Sequence, residues 1–406
     1  PVVFNVAAGT YNEQVIIPQI PGASATNTIV FNGNLATLSF NSANTALRAG
    51  IWLDGADHIT IDGLNINVGG GTYGWGVLLT NKADSNKILN NNISTSATST
   101  SSNFIGIYFN GSPSVTFTSG NNANGNLVQG NTIDGGVYGI KLYGSTFPYN
   151  MNNIIRNNIV KNFYQYGIYV YGNNDALISG NDISRPTRTS VTTTYGVYVS
   201  SGSNLLVEKN RVHDVYQALT TNSTSTVYGI YISADGTSTA RNKAYNNAIY
   251  NIHKSNGTIY GIYFNFYYYW NIYHNTITLD DATSTAGATY GISGYGILDT
   301  VRNNIVSITR AGTGTKYLLY YPTTTATNLP YSNNNVLYMA APAGTNYTGY
   351  AGTTSFATLA NWQAANGGIF DQQSVAVDPQ FANPAAGNLY PNNTAIAFLG
   401  APLGVT

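Results

Sequence analysis

A four-residue phrase built around a glycine recurs along most of this chain. Tyr166-Gly167-Ile168-Tyr169 is a typical copy, and every copy has an apolar residue directly after the glycine. The glycine returns at intervals of 28 to 33 residues, at Gly76, Gly106, Gly139, Gly167, Gly196, Gly229, Gly261 and Gly291. A repeat of this length, carried by β-forming residues, is typical of a solenoid whose coils stack on one another.

A second phrase places an asparagine two residues before an isoleucine or valine in each repeat. Asparagine tolerates the left-handed backbone of a sharp corner, and its amide can hydrogen-bond to another asparagine. The asparagines of successive coils should therefore stack in one structural ladder. The predicted members of this ladder are Asn91, Asn131, Asn157, Asn181, Asn210, Asn247, Asn275 and Asn303.

The runs between these phrases are rich in isoleucine, valine, tyrosine and threonine, and they lack the apolar spacing of helices. Each repeat therefore predicts a short strand, a corner, a second short strand and a third strand that carries the glycine phrase. We predict an all-β fold, a parallel β-helix of roughly 9 to 12 coils. The β-helix is expected to be right-handed, because the connections between parallel strands of one sheet are generally right-handed.

The regularity of the repeat divides the chain into three zones of one continuous domain. Residues 1–72 are predicted to form the N-terminal coils and cap, residues 73–310 the regular repeats, and residues 311–406 the C-terminal coils and cap. The last zone contains one short predicted helix in the cap, with Ser355 as its N-cap and Trp362 on its apolar side.

Composition limits the classes of partner. Charged residues make up 8% of the chain and cancel to a net charge of zero, which argues against nucleic-acid binding and against a charged membrane-surface protein. No apolar run approaches the roughly 20 residues that cross a bilayer, so no membrane insertion is expected. The chain has no cysteine, and its Ser-, Thr- and Asn-rich sequence favours a secreted protein, extracellular or at the cell surface. Because the sequence opens at Pro1 without a signal-like segment, we expect a processed chain or a piece of a longer one.

Most copies of the glycine phrase place a tyrosine two residues after the glycine. If the residues one and three after the glycine face the core, this column faces solvent, with rungs about 4.8 Å apart. The candidate glycan-binding ladder is Tyr108, Tyr169, Tyr198, Tyr231 and Tyr263. Such rings offer sugars an apolar face and a hydroxyl together, whereas the alternative interpretation is that they only stabilise the coils. The tyrosines directly before the glycines are expected to be structural.

Acidic residues are few, and none forms the pattern of a lyase or glycosidase, so no catalytic residue is assigned. The densest group is Asp54, Asp57 and Asp62, two of which lie in Asp-Gly turn pairs. Turn formation is the first interpretation of this group, and a calcium site is the second. The histidines stand at different offsets from the repeat, which argues against a shared metal site. No cofactor is predicted, with calcium as the one alternative.

Short sequence motifs near both ends of the chain are similar to those of a known family. They are residues 4–6, 9–15, 20–28 and 53–64 near the start and residues 360–365, 377–381 and 400–404 near the end, among them Val377-Asp378-Pro379-Gln380-Phe381. In these stretches the chain resembles the β-helix regions of very large secreted surface proteins of the Bacteroidota. The resemblance implies a right-handed parallel β-helix, export by the type IX secretion route and an adhesin-like role.

These observations together predict a non-catalytic, secreted β-helix that serves as an adhesin or stalk segment at the cell surface. Its predicted ligand is a polysaccharide or cell-surface glycan, bound on the tyrosine ladder. One alternative is an enzyme, a polysaccharide lyase or glycoside hydrolase, which needs two or more carboxylates in one groove. Another alternative is a purely structural fibre module that associates with copies of itself. Other parts of a longer parent chain are further expected partners.

Overall fold

The chain folds into two compact units of stacked β-coils. A computed structural model describes residues 1–219 and 223–403. Unit 1 comprises Pro1–Ser190 with Val197–Leu206, and unit 2 comprises Val191–Gly196 with Val207–Thr406. Gly404, the last residue of the family-like phrase 400–404, lies outside the described residues. The division of the sequence into three zones stays a prediction.

Unit 1 is built from three parallel sheets, A, B and C, to which each coil contributes one strand. Sheet A contains Val2–Asn5, Ile29–Asn32, Ile59–Asp62, Lys87–Leu89, Leu127–Gln129, Ile154–Arg156 and Leu177–Ser179. Sheet B contains Thr10–Tyr11, Thr37–Ser39, Asn65–Asn67, Asn92–Ser94, Thr132–Asp134, Ile159–Lys161 and Asp182–Arg185. Sheet C contains Val15–Pro18, Ala49–Asp54, Gly74–Thr80, Phe104–Phe109, Tyr138–Tyr143 and Tyr166–Tyr171. A separate parallel pair joins Asn150–Met151 to Asn173–Asn174.

Unit 2 repeats this arrangement of three parallel sheets. Its sheet A contains Asn242–Tyr245, Trp270–Tyr273, Thr300–Arg302 and Tyr331–Asn333. Its sheet B contains Arg211–Val215, Ala248–Ile249, Thr276–Leu279, Ile305–Ile308 and Val336–Met339. Its sheet C contains Val227–Ser233, Ile259–Asn265, Thr289–Tyr295, Lys316–Tyr321 and Asn346–Ala351, with Thr354–Phe356 added antiparallel. Two strands, Thr194–Ser200 of sheet C and Leu206–Glu208 of sheet A, contain residues of both units.

Like residues lie over like residues in successive coils. In sheet A of unit 1, Ile61 pairs with Ile88, and Ile88 pairs with Val128. These side chains are buried together with the inward aliphatic residues of sheets B and C, so each coil adds one layer to a continuous core within its unit. The described strands make about 12 turns in total. The prediction of an all-β parallel β-helix is therefore confirmed.

The repeat glycine breaks the alternation of the sheet C strands. In one strand of unit 2, Gly229 and Ile230 both face the core, whereas Tyr228 and Tyr231 both face outward. A Cβ on Gly229 would lie 2.6 Å from a carbonyl oxygen of the next coil and 2.8 Å from Ile249 Cδ1, so only glycine fits there. The tyrosines before and after the glycine therefore share the outer face of sheet C, where strict alternation would have turned the first of them inward.

A buried ladder of asparagines follows the corner between sheets A and B. Asn131 is typical: its amide donates to Asn158 Oδ1 at 3.0 Å and to the Ile88 carbonyl oxygen at 2.8 Å. The ladder consists of Asn91, Asn131, Asn158 and Asn181 in unit 1 and of Asn210, Asn247, Asn275, Asn304 and Asn335 in unit 2. Each amide thus satisfies polar groups of the corner that the core would otherwise leave unpaired.

Two of the eight predicted ladder residues, Asn157 and Asn303, lie outside the ladder and are a correction to the prediction. Both have left-handed backbones, with φ of 54° and 57°. The next residues, Asn158 and Asn304, supply the buried amides instead. Both coils read Asn-Asn-Ile-Val, and the first apolar residue faces outward, with Ile159 46% exposed. Aligning these coils on the isoleucine rather than the valine shifts the expected register by one residue.

The short helix predicted near the C-terminus is present as Leu359–Ala364. Its N-cap is Thr358, whose hydroxyl oxygen accepts from the Asn361 main-chain N–H at 3.2 Å. Ser355, the predicted N-cap, lies three residues earlier and belongs to an antiparallel strand, because the chain turns back along the last strand of sheet C before the helix begins. Trp362 points from the helix into the core, where it is fully buried.

Short helical turns and one hairpin complete the described C-terminal region. The 3-10 turns are Ala326–Asn328, Ala365–Gly367, Pro384–Ala386 and Thr394–Ile396, and the antiparallel hairpin pairs Phe381–Asn383 with Asn388–Pro391. None of the helices in the part of the chain that the structure describes has the length and apolar character needed to span a membrane.

Candidate functional site

The outer face of sheet C in unit 2 carries two parallel columns of tyrosines, termed the tyrosine face. The first column is Tyr195, Tyr228, Tyr260, Tyr290, Tyr317 and Tyr347, and the second is Tyr231, Tyr263, Tyr320 and Tyr350. Ser293 interrupts the second column between Tyr263 and Tyr320. The two columns lie side by side because their residues are three apart within each strand, on either side of the bend at the glycine position.

The rings of the tyrosine face cover one another. Within the first column the planes are almost parallel, as for Tyr260 and Tyr290 at 4.6 Å and 9°. Between columns they are almost perpendicular, as for Tyr228 and Tyr231 at 5.0 Å and 84°. Aromatic pairs favour both arrangements, each by about 0.5–1.5 kcal/mol beyond the burial of area. The exposed surface therefore consists of ring edges and hydroxyls, which corrects the expectation of a platform of open ring faces.

Mutual burial raises the pKa of several hydroxyls of the tyrosine face. Burial, followed by the neighbouring tyrosine hydroxyls, raises the pKa of Tyr260 and of Tyr290 to about 12. The same causes raise the pKa of Tyr320 to about 12. At neutral pH each of these hydroxyls is an uncharged group that can both donate and accept a hydrogen bond.

Tyr108, the first member of the predicted ladder, is fully buried rather than exposed. The loop after its strand folds back over it, and the Phe117 main-chain N–H donates to the Tyr108 hydroxyl at 2.9 Å. Trp75 from the preceding coil packs edge-on against the ring at 5.0 Å. The Asn110 side-chain amide holds the loop in place through two main-chain carbonyl oxygens. Tyr108 therefore belongs to a small apolar cluster beneath a loop and offers no surface to a ligand.

The other four predicted ladder residues are half-buried on the outer faces of sheet C strands. In unit 1, Tyr169 and Tyr198 stack at 4.9 Å with planes 2° apart. In unit 2, Tyr231 and Tyr263 lie 5.0 Å apart with planes 31° apart. Their placement agrees with the outward orientation expected from the sequence, and their binding to a glycan stays a prediction.

Lys141 occupies the same outward column in unit 1 and is completely buried. Within the described part of the chain its Nζ has no hydrogen-bond partner. The amine lies over aromatic rings instead, 3.4 Å from the Phe117 centroid and 4.3 Å from that of Tyr138. Three more tyrosine rings have centroids within 5.3 Å of it. Burial lowers the pKa of Lys141 to about 6.

Lys141→Met is expected to raise the free energy of unfolding at pH 7 by about 1–3 kcal/mol, because methionine fills the space without a charge to desolvate. The unfolded chain binds a proton at this lysine up to its ordinary pKa of 10.5, whereas the folded chain releases it near pH 6. The stability of the wild type relative to Lys141→Met should therefore rise with pH between about 6 and about 10, so the gain from the substitution should shrink over that range. Urea unfolding at a series of pH values measures both effects.

The control for this experiment is Lys161→Met, since Lys161 is partly exposed and lies 3.4 Å from Asp134. Its effect should stay within about 1 kcal/mol, as is usual for a surface ion pair. A clear loss of stability in Lys141→Met, with a difference from the wild type that does not change with pH, would show that the surrounding rings hold the ammonium form instead.

The acidic group Asp54, Asp57 and Asp62 serves in hydrogen bonds between coils. Asp57 accepts from the Asp84 main-chain N–H at 2.8 Å, and Asp62 accepts from the Asn90 side-chain amide at 2.9 Å. Asp54 likewise accepts from side chains of the next coil. Among the described residues, no group of three or more histidine, cysteine, aspartate or glutamate residues is placed to hold a metal ion. The three carboxylates therefore do not converge on a calcium site, which corrects that interpretation.

Buried lysine and arginine side chains donate hydrogen bonds to main-chain carbonyl oxygens where sheet B is followed by sheet C. Sequence reasoning did not find these residues. In unit 2, Lys316 Nζ donates to the carbonyl oxygens of Gly312, Gly314 and Ala343 at 2.7–3.0 Å. Arg310 is fully buried and donates to five further carbonyl oxygens. Carbonyl clusters of this kind are also what hard metal cations bind. In this protein the Lys316 ammonium and Arg310 guanidinium groups occupy the carbonyl clusters, and their hydrogen bonds connect one coil to the next.

The parallel coils, the aliphatic core and the asparagine ladder define a β-helix protein with a tyrosine-rich outer face in unit 2. The family model described as right handed beta helix region matches residues 19–186 and 119–352. The chain therefore belongs to the right-handed β-helix family, and the predicted right hand is confirmed.

Two solved structures are similar to this chain at low sequence identity. They are the GH136 lacto-N-biosidase from Eubacterium ramulus as the native protein, with a TM-score of 0.46 and 12% identity, and as the selenomethionine derivative, with a TM-score of 0.48 and 14% identity. Each comparison covers 86% of this chain and 61% of the enzyme chain, so this chain spans about three fifths of the length of those proteins. A search among curated proteins found no match to this chain.

Proposed function

We propose that this chain is a non-catalytic β-helix protein that binds polysaccharide along the tyrosine face of unit 2. The observation that supports this function best is the regular spacing of the rings, whose centroids in a column are 4.5–5.8 Å apart. A saccharide chain lying along a column meets at each step a hydroxyl that donates and accepts, beside an apolar ring edge. The affinity for a saccharide should increase with the number of coils that it spans, because each further coil adds the same contact.

We further propose that the chain is secreted and acts as an adhesin or stalk segment at a bacterial cell surface. The resemblance to Bacteroidota surface proteins supports this location and export by the type IX route. A protein with 8% charged residues and no net charge is suited to uncharged partners such as neutral glycans. We also propose two protein partners for this chain, namely other parts of a longer parent chain and further copies of the chain itself.

Two other functions compete with this one. If the tyrosines only stabilise the coils, the chain is a structural fibre module, and the mutual stacking of the rings supports that alternative. If the chain is a polysaccharide lyase or glycoside hydrolase, it must shorten the glycan that it binds. The three functions differ in what happens to a glycan in solution, so one set of binding experiments separates them.

The double variant Tyr231→Phe/Tyr263→Phe removes two hydroxyls from the second column and keeps both rings. It is expected to weaken binding to the best ligand on a glycan array by about tenfold, because each hydrogen bond to an uncharged partner contributes about 0.5–1.5 kcal/mol. The thermal midpoint should stay nearly unchanged, since the ring contacts remain. Tyr390→Phe changes an exposed tyrosine outside the tyrosine face and should bind as the wild type does.

Three results would contradict the proposal. A wild-type chain that binds no glycan on the array leaves the structural fibre module as the better function. Binding that persists both in the phenylalanine pair and in Tyr231→Ala/Tyr263→Ala places the glycan on another surface. Release of shorter sugars from a bound glycan favours the enzyme.

A further inference from the structure

A second surface of unit 2 has the form of a ligand site, on the outer face of sheet A. A groove of about 460 Å³ lies between the sheet A strands of four coils and the turn that contains the 3-10 helix Ala326–Asn328. The residues that define its chemistry are Arg241, Asn271, Tyr273, Leu298, Thr300 and Tyr331. A volume of this size is in the usual range for small-molecule sites.

Arg241 supplies a positive charge that the protein holds in place but does not neutralise. Its Nε donates to Asn271 Oδ1 at 2.8 Å, and its Nη2 donates to the carbonyl oxygens of Trp270 and Leu298 at 3.2 and 2.5 Å. In the described part of the chain, Nη1 has no hydrogen-bond partner and no carboxylate forms an ion pair with this guanidinium. The Nε hydrogen and both Nη2 hydrogens are thus in use, so the two N–H groups of Nη1 are the donors available to an anion, and a carboxylate can meet this fixed guanidinium end-on at Nη1.

Leu298 forms an apolar wall of the groove at the cost of backbone strain. Its φ is 61°, and its side chain is 57% exposed. The same corner position in unit 1 is occupied by Ser85, Gly125 and Asn152, whose small or polar side chains tolerate the left-handed backbone better. In unit 2 this corner is occupied by Tyr269, with a φ of 60°, and by Leu298, so two successive coils place a large side chain where the left-handed backbone does not favour one. Strain of this kind is typical of positions that serve binding.

The groove also offers an aromatic surface and hydroxyl groups. Tyr331 is 50% exposed, and the Arg302 guanidinium carbon lies 5.5 Å from its ring centroid. Thr300 Oγ1 lies 3.0 Å from Asn271 Oδ1 and 2.6 Å from the Tyr273 hydroxyl. The combination of a free guanidinium Nη1 group, a ring, an apolar wall and neutral hydrogen-bonding groups matches a sugar ring that carries a carboxylate.

We propose that this groove binds an acidic sugar residue of a polysaccharide, with its carboxylate on Arg241 Nη1 and its ring against Tyr331 and Leu298. Arg241 makes the groove selective for an anionic sugar, whereas the tyrosine face has only uncharged groups. The groove lies on sheet A and the tyrosine face on sheet C. A test can therefore contradict ligand binding at one site without contradicting it at the other.

The buried acid Asp299 at the base of the groove does not cancel the charge of Arg241 at neutral pH. Burial raises the pKa of Asp299 to about 8, although the nearby Arg241 guanidinium acts in the opposite direction. Asp299 is therefore mostly protonated at pH 7. Asp299 therefore does not offset the charge of Arg241 at pH 7; the exposed Asp235 is the other acid that acts on the pKa of Asp299.

The test is isothermal titration of the full chain with a short hexuronate oligosaccharide and with the same oligosaccharide after reduction of its carboxylates to alcohols. The wild type is expected to bind the acidic form at least tenfold more tightly. Arg241→Gln should lose that preference, whereas Arg156→Gln should keep it, because Arg156 lies on sheet A of unit 1 and is exposed. Equal binding of the two oligosaccharides by the wild type, binding of neither, or an unchanged preference in Arg241→Gln would overturn the proposal.

Leu298→Asn provides a second variant that does not depend on the carbonyl contacts of Arg241. It should raise the melting temperature, because asparagine tolerates the left-handed backbone, and it should weaken binding of the acidic oligosaccharide about fivefold. Tyr331→Ala should weaken binding by a similar factor with little effect on melting, since the side chain is half exposed. Unchanged affinity in both variants would overturn the placement of the sugar ring.

Discussion

Replacing Asn158 with alanine is expected to lower the free energy of unfolding by about 3 kcal/mol. The Asn158 amide donates to Asn181 Oδ1 and to the Val128 carbonyl oxygen, each at 3.0 Å, and its Oδ1 accepts from the Asn131 main-chain N–H at 3.0 Å. These groups are buried, so alanine leaves them without partners at a cost of about 1–3 kcal/mol each. Urea unfolding followed by circular dichroism measures the change.

Asn157→Gly is the matched control for this prediction. Asn157 is the neighbouring residue, is exposed and has a φ of 54°, which glycine adopts without strain. Its replacement should change the free energy of unfolding by less than about 1 kcal/mol. The opposite ranking, a large loss at Asn157 and a small loss at Asn158, would be incompatible with the observed ladder.

Asp299→Asn is expected to stabilise the protein by about 3 kcal/mol at pH 8. Asp299 is 1% exposed; its Oδ1 accepts from the Trp270 main-chain N–H at 2.8 Å, and its Oδ2 has no partner among the described residues. At the equivalent corner of unit 1, the Asn86 amide donates to the Ala56 carbonyl oxygen at 2.8 Å. Asparagine at position 299 would replace the unpartnered Oδ2 by an amide that can donate a hydrogen bond, as the Asn86 amide does.

The effect at Asp299 should depend on pH. Burial raises the pKa of Asp299 to about 8, so the folded protein keeps a proton that the unfolded chain releases near pH 4. The stability of the wild type relative to Asp299→Asn should therefore fall as the pH rises from about 4 to about 8. Asp235→Asn, at an exposed acid nearby, is the control. A fall of equal size in the wild type and in Asp299→Asn would rule out this origin.

The coils themselves could be predicted because the repeat depends on residues with a backbone role. Gly229 is required where two coils approach closely, and Asn247 is required at a corner whose polar groups need an amide. The register at Asn157 and Asn158 could not be predicted, because two successive asparagines give no local sign of which one turns inward. The next coil decides it, because Asn181 Oδ1 accepts from both the main-chain N–H and the side-chain amide of Asn158.

A second asparagine ladder in unit 1 was missed although the sequence contains its signal. Asn86, Asn126 and Asn153 also stand two residues before an inward isoleucine or valine, at the corner before sheet A. The main-chain N–H of each of the first two donates to Oδ1 of the next, at 2.8 and 3.0 Å. The same phrase occurring twice in a coil predicts two ladders, whereas an alignment on one phrase finds only one.

The surroundings of the tyrosines could not be predicted from the repeat. Tyr108 and Tyr231 hold the same place in the glycine phrase, but a loop covers Tyr108 and none of the repeating residues specifies the path of that loop. The groove on sheet A is similarly hidden, since Arg241, Leu298 and Tyr331 come from different coils and meet only after the coils stack. A periodic sequence pattern predicts which strands stack on one another, but it does not predict the paths of the loops that cover them.

Oxidative footprinting by mass spectrometry, with and without the glycan that binds best on the array, tests the glycan-binding role most directly. If the tyrosine face binds the glycan, Tyr231 and Tyr263 should be protected from oxidation in its presence, while the exposed Tyr390 should react as before. If Tyr231 and Tyr263 react equally with and without bound glycan, the tyrosine face is not the binding surface.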